Sequence, residues 1–166
     1  MPATYEPIAT TTLGSAASSI TFSSIASSWT DLRVVWVGTS TSNGAEFYIR
    51  FNSDSSSNYS QTGIYGNGAS AASAALTSQT QVKGTLGGGV SSTIPHFYTC
   101  DVFSYAGSTN KTCLIESSED RNGSGFVERN VGLWRSTSAI NTITILPNTS
   151  TWVAGTTATL YGIKNA

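Results

Sequence analysis

Short runs rich in Val, Ile, Thr, Tyr, Phe and Trp recur along this chain, each closed by a cluster of Gly, Ser, Asn or Thr. This punctuation restricts the fold more than any other feature. Branched and aromatic runs of that length suit a pleated, half-buried surface, and the polar clusters between them are turn chemistry. The pattern predicts strands over 18–24, 31–39, 46–52, 60–65, 79–85, 96–105, 111–117, 126–135, 139–146 and 157–163. No segment keeps apolar residues at helical spacing for three turns. The nearest approach is Ala69 to Leu76, where Ser interrupts a weak periodicity and one or two helical turns, or a loop, are expected. Many short strands with hairpin-length connections imply an all-β fold, either a sandwich or a barrel. The preferred version is a single-domain antiparallel β-sandwich, jelly-roll-like.

Two stretches show the alternation best. From Ile140 to Leu146, Ile140, Thr142, Thr144 and Leu146 fall on one face, and Asn141, Ile143 and Ile145 on the other. From Asp31 to Val37 both faces are largely apolar, as in a strand at the middle of a packed sheet. The clearest local unit is a hairpin, His96 to Tyr105 and Lys111 to Ser117, turning around Ala106-Gly107-Ser108. Pairing Ser104 with Thr109 puts Tyr98, Cys100 and Val102 on one face with Cys113 and Ile115, with Cys100 opposite Cys113. A cross-strand disulfide is geometrically conceivable there. Synthesis in a cytoplasm, expected because Met1-Pro-Ala-Thr-Tyr-Glu lacks the regions of a signal peptide, favours two buried thiols instead.

At 166 residues the chain has the length of one domain, and four Trp, seven Tyr and six Phe supply an ample core. No internal repeat or domain boundary stands out in residues 20–166. The opening segment 1–19 differs: nearly uncharged, with Pro2, Pro7 and a Thr run, it reads equally as an extended lead-in or as an arm crossing to a neighbouring subunit.

Charge excludes several classes of partner. Charged residues make up 10 % of the chain, against about 25 % in a typical soluble domain. Ser and Thr supply roughly three residues in ten, so hydroxyls rather than charges face the solvent. The net charge is −1 and the eight Lys and Arg are scattered, leaving no basic stripe for nucleic acid. No apolar run approaches the roughly 20 residues of a membrane-spanning helix.

Residues that could carry chemistry each have an ordinary alternative role. His96, the one histidine, has no second His or suitably spaced Cys to complete a zinc site, and no Gly-x-Ser-x-Gly turn offers it a nucleophile. It reads as a strand-edge histidine. Glu116, Glu119 and Asp120, with Arg121 next and Glu128 and Arg129 beyond, contain carboxylate pairs of the kind glycoside hydrolysis uses. The stretch Glu116 to Gly123 reads first as a polar loop between strands. Asn52 to Asn58 has oxygen donors at alternating positions but lacks the Gly and closing Glu of a calcium loop. Gly87-Gly88-Gly89 is not followed by Gly-Lys-Ser/Thr and reads as a flexible connection. The Asn-x-Ser/Thr triplets, Asn58-Tyr-Ser among them, are expected by chance in so hydroxyl-rich a chain. Trp29, Trp36, Trp134 and Trp152 lie on or beside predicted strands, where a core uses them more commonly than a carbohydrate platform does. Trp134 beside Arg135 is the pair best suited to meet a partner. No residue is assigned a catalytic, cofactor-binding or metal-binding role, and no cofactor and no enzymatic activity are expected.

Several segments also resemble known proteins. Arg50-Phe-Asn-Ser-Asp-Ser-Ser-Ser-Asn-Tyr-Ser60, Tyr105-Ala-Gly-Ser-Thr-Asn-Lys111, Gly132-Leu-Trp-Arg-Ser136 and Thr159-Leu-Tyr-Gly-Ile-Lys164 are similar to small virion proteins of tailed phages, especially those of marine bacteria and cyanobacteria. With the stretch through Asp31-Leu-Arg-Val34, the resemblance covers most of the chain. It implies a β-sandwich module of the virion, assembled in the host cytoplasm. The leading expectation is a capsid decoration (cement) protein touching the major capsid protein. The alternatives are a tail or head fibre module contacting the host surface, and a carbohydrate-binding module. By analogy with other such proteins a homotrimer is expected, with no nucleic acid or membrane partner and with a host-surface glycan as a further candidate ligand.

Overall fold

The computed structural model describes residues 5–164, and among them none is helical. In chain order the strands are β1 (Tyr5–Thr12), β2 (Ile20–Phe22), β3 (Asp31–Gly38), β4 (Phe47–Phe51), β5 (Tyr59–Gly66), β6 (Ala71–Gln79), β7 (Val82–Lys83), β8 (His96–Phe103), β9 (Lys111–Asp120), β10 (Gly125–Trp134), β11 (Ile143–Pro147) and β12 (Thr157–Ile163). They pair as nested arms: β1 with β12, β2 with β11, β3 with β8 and β4 with β7. Cross-pairs of β12 with β3 and β11 with β4 then close two sheets. A ribbon folded back on itself and wound into two layers is a jelly roll, so the sandwich expected from the sequence is present. Two hairpin insertions, β5–β6 and β9–β10, extend one sheet only. The large sheet runs β1-β12-β3-β8-β9-β10-β5-β6 and the small one β2-β11-β4-β7.

Aromatic rings fill the space between the sheets. Phe47 of the small sheet stacks on Tyr98 of the large one with centroids 3.9 Å apart, and Trp36 meets Phe47 at 5.3 Å and Trp152 at 4.8 Å. A second group joins Phe51, Tyr59 and Trp134. Contacts of this kind add about 0.5–1.5 kcal/mol per pair beyond the area they bury.

Four strands cannot cover eight. Beneath β9, β10 and β5 the loop 84–91 takes the place of a sheet, and a loop carries unpaired backbone N–H and C=O groups into the interior. Side chains on the inner face of the large sheet answer them. Gln61 accepts from the Lys83 N–H at 2.6 Å and donates to the Lys83 carbonyl at 2.8 Å. Asn130 donates to the Gly84 carbonyl at 3.0 Å. The Glu128 carboxylate accepts from the N–H groups of Leu86, Gly87 and Gly88 at 2.5, 3.1 and 2.9 Å. A Cβ on Gly87 would lie 2.0 Å from the Tyr65 ring, and one on Gly88 2.4 Å from Phe126. The glycine run read as a flexible connection is therefore a fitted cover.

Several sequence expectations need correction. Ala69 to Leu76 does not turn as a helix: β6 runs from Ala71 to Gln79, because β5 offers it a ladder that outweighs the helix preference of Ala. The strand expected over 79–85 shrinks to Val82–Lys83, with Gln79 taken into β6 and Gly84 opening the loop, and Gln61 pairs the free side of Lys83. The loop expected over 116–123 is strand as far as Asp120, held by pairing of Phe126 with Glu119 and Gly125 with Asp120. In the β8–β9 hairpin Cys100 faces Ile115 and Val102 faces Cys113, one pleat from the expected register. Ser104, at φ 48, leaves the ladder early, and the buried Lys111 ammonium closes the turn by donating to the Gly107 and Thr109 carbonyls. The shift keeps every side chain on its expected face, and both cysteines are buried and free. Of the opening segment, residues 1–4 lie outside the described residues, while Tyr5–Thr12 pairs along β12 of the same chain with a bulge between Pro7 and Ala9.

The cover gives a direct test. Glu128→Leu leaves three partly buried N–H groups without their acceptor and is expected to lower the unfolding free energy by about 1–3 kcal/mol in urea denaturation. Glu128→Gln, which keeps an acceptor, should cost markedly less.

Candidate functional site

Strand alternation sends Leu32, Val34 and Trp36 of β3 into the core, and Arg33, Val35 and Val37 out. The same alternation on β8, β9, β10 and β5 builds an outer face for the large sheet. That face is not polar. Ile64 is 63 % exposed, Val127 69 % and Val131 50 %, and Phe97, Phe103, Val37 and Tyr5 are also exposed. Register aligns them in rows: Val37 beside Phe97, then Ser118, then Val127; and Asp101 beside Leu114, then Val131, then Thr62. The apolar pattern on both sides of β3 is thus real, but only one side of it is covered.

Both arginines of this face pair with carboxylates of the same face, while Asp31 and Asp120 accept from the backbone N–H groups of Ser104 and Gly123. Arg33 makes a two-point contact to Asp101 at 2.6 Å, and this hydrogen-bonded pairing raises the Arg33 pKa despite partial burial. Arg129 lies 3.2 Å from Glu116 on the neighbouring strands. Between the two ion pairs the surface is aliphatic, aromatic and hydroxyl. A shallow depression of about 360 Å³ runs beside Leu133, Val131 and Ala75. Such a surface is suited to docking a solid partner face.

The candidates for chemistry lie elsewhere and are mostly engaged. Glu116, Glu119 and Glu128 do not converge on a cleft: Glu116 points out, whereas Glu119 and Glu128 point into the core. His96 is not at an exposed edge but wholly buried, stacked on Tyr98 with centroids 4.5 Å apart. Its Nδ1 is 3.3 Å from the Glu119 carboxylate, which also pairs with Arg121. Arg121 in turn donates to the Gly89 carbonyl at 3.2 Å, tying this cluster to the covering loop. The inward side of β9 carried a signal for it, since Cys113, Ile115, Ser117 and Glu119 alternate in step.

In the 52–58 segment Asp54 accepts from the Trp134 indole N–H at 2.7 Å, from Asn58 and from the Ser56 N–H. These bonds, the Trp134 one foremost, hold its carboxyl down to about 2. The oxygens that suggested a calcium loop thus fasten a turn to the core. Among the described residues no group of three or more His, Cys, Asp or Glu is placed to hold a metal ion. Trp36, Trp134 and Trp152 are buried, and Trp29 packs against Gly162 with Lys164 above its ring. Arg135 donates to the Ser57 carbonyl beside the same turn.

Fold and surface together define a jelly-roll sandwich with one broad, uncovered apolar sheet face. No protein-family profile and no curated protein matches the chain. Among solved structures, the crystal structure of Caenorhabditis elegans galectin LEC-6 aligns over 94 % of this chain and 96 % of that one, at 10 % identity and a TM-score of 0.39.

The buried histidine makes stability depend on pH. Burial first, and the nearby Arg121 second, push the His96 pKa down to about 4, whereas an unfolded His titrates near 6.5. Its contribution is therefore intact above pH 6.5 and lost as pH falls from 6.5 towards 4, by about 3 kcal/mol. Glu128, raised by burial in opposition to its N–H bonds, acts with the opposite sign, so a difference measurement isolates His96. Between pH 6.5 and 4 the wild type should lose about 3 kcal/mol more unfolding free energy than His96→Gln. Parallel curves would mean that the folded protein accepts the proton.

Proposed function

We propose that the chain is a structural subunit of a phage virion, a capsid decoration protein that attaches outside the shell through the outer face of its large sheet. The uncovered apolar face carries this reading. Apolar surface costs about 25 cal/mol per Å² while it faces water, and contiguous patches of it mark interaction sites. A capsid lattice offers a matching cover, and the resemblance to tailed-phage virion proteins supplies the particle. Because Arg33–Asp101 and Arg129–Glu116 already neutralise each other, docking needs no charged partner and depends little on salt. The role asks for binding and rigidity, not catalysis.

Quantitative mass spectrometry of purified particles tests it directly, with the chain expected at copy numbers comparable to the major capsid protein. A few dozen copies or fewer would transfer the protein to a tail or head fibre, and absence from particles would end the virion reading. The face itself is tested by Val127→Arg combined with Val131→Arg. Both side chains are exposed, so the variant should fold, as judged by circular dichroism, yet fail to stay on particles. Undiminished retention would move the contact to another surface.

A further inference from the structure

Edges of the two sheets are treated unequally. The small sheet ends in β2 and β7, only three and two residues long. The large sheet ends on one side in β1, which carries Glu6, Pro7 and a bulge. Short strands, proline, charge and bulges are the usual ways in which an edge is kept from pairing with another chain. β6 at the opposite end is neither short nor interrupted by proline or charge, and its one bulge lies at its far end, beyond Leu76. Ala-Ala-Ser-Ala-Ala-Leu-Thr-Ser-Gln is nine residues long, without proline or charge, and pairs on one side only, with β5. Its small side chains leave the free backbone edge open to close approach.

The geometry points to β6 as a self-association edge, where a second copy of this chain adds its own β6 antiparallel and joins two large sheets into one. The inference stands apart from the virion reading, because it rests on the edge and not on the outer face. A foreign strand would need a free edge of its own, whereas a copy brings one by construction. A two-fold axis perpendicular to the sheet keeps both outer faces on the same side, which requires residues of one face to oppose each other. The bulge against β5 and the left-handed Ser78, at φ 55, end the regular part of β6 near Thr77. Centring the axis on Ala74 then sets Ser73 opposite Ala75, Ala72 opposite Leu76 and Ala71 opposite Thr77 in the partner copy. No charge meets a charge and no two large side chains collide.

Magnitude limits the strength of this contact. The seven paired residues give a ladder about 24 Å long, and at a sheet thickness of about 10 Å it covers roughly 240 Å² per copy. Stable complexes bury at least about 1,200 Å² in total. The dimer is therefore reversible, filling only as concentration rises.

Sedimentation velocity of the full chain from micromolar to millimolar concentration is the test. A monomer–dimer equilibrium is expected. Ser73→Lys combined with Ala75→Lys sets lysine opposite lysine twice across the axis and should raise the dissociation constant about tenfold or more. Ser73→Glu combined with Ala75→Lys sets opposite charges face to face and should restore the dimer. Both sites are exposed, and circular dichroism checks that each variant folds. A monomer throughout, a trimer, or a dimer indifferent to the paired lysines would each overturn the proposal. Retention on particles plays no part in this readout, so either idea can fail without the other.

Discussion

The backbone of the 84–91 loop governs much of the interior, because its N–H and C=O groups must find partners wherever the loop is buried. An eight-stranded sheet laid over a four-stranded one leaves half of its inner face without a sheet to pack on. Loop 84–91 fills that place, and Gln61, Asn130 and Glu128 stand where a neighbouring strand would have stood. The polar inner ends of β9 and β10 follow from this arrangement. So do the missing Cβ atoms at Gly87 and Gly88, where rings from the sheet come down onto the loop. Glu128, one of the carboxylates that the sequence offers for chemistry, is in this fold an acceptor for the loop, and burial raises its pKa and lowers that of His96.

Periodicity made most of the fold legible. The two-sided apolar pattern of Asp31 to Val37 marked the middle of a sheet, and β3 does lie between β12 and β8. The His96–Ser117 hairpin had its faces correct although its register slipped by one pleat, because a shift of two residues preserves alternation. Failures had a common origin in partners far away in sequence. Ala71 to Gln79 carries no strand signal of its own and is a strand because β5 pairs with it. Glu119 looked like a loop residue because its burial depends on His96, Arg121 and the covering loop, which come together only in three dimensions.

The site was half visible. Exposed apolar residues cannot be told from core residues in a strand whose two faces are both apolar, and the sequence alone does not say which face the second sheet covers. Val37 and Trp36 are adjacent, yet one is exposed and the other has no exposed surface. Topology decides that difference: the jelly roll covers one side of the large sheet and leaves the other bare. The aromatic residues show the reverse case, since packing demand drew three of the four Trp inward.

Nested pairing also has a mechanical side. Tyr5 stands opposite Ile163, so the start of β1 and the finish of β12 lie at the same end of one antiparallel pair. Tension applied between those ends would peel β1 from β12 one hydrogen bond at a time, instead of shearing a whole ladder at once. Force applied across the width of the large sheet would load many rungs in parallel. The domain is thus built to yield when pulled by its ends and to resist when spread as a surface.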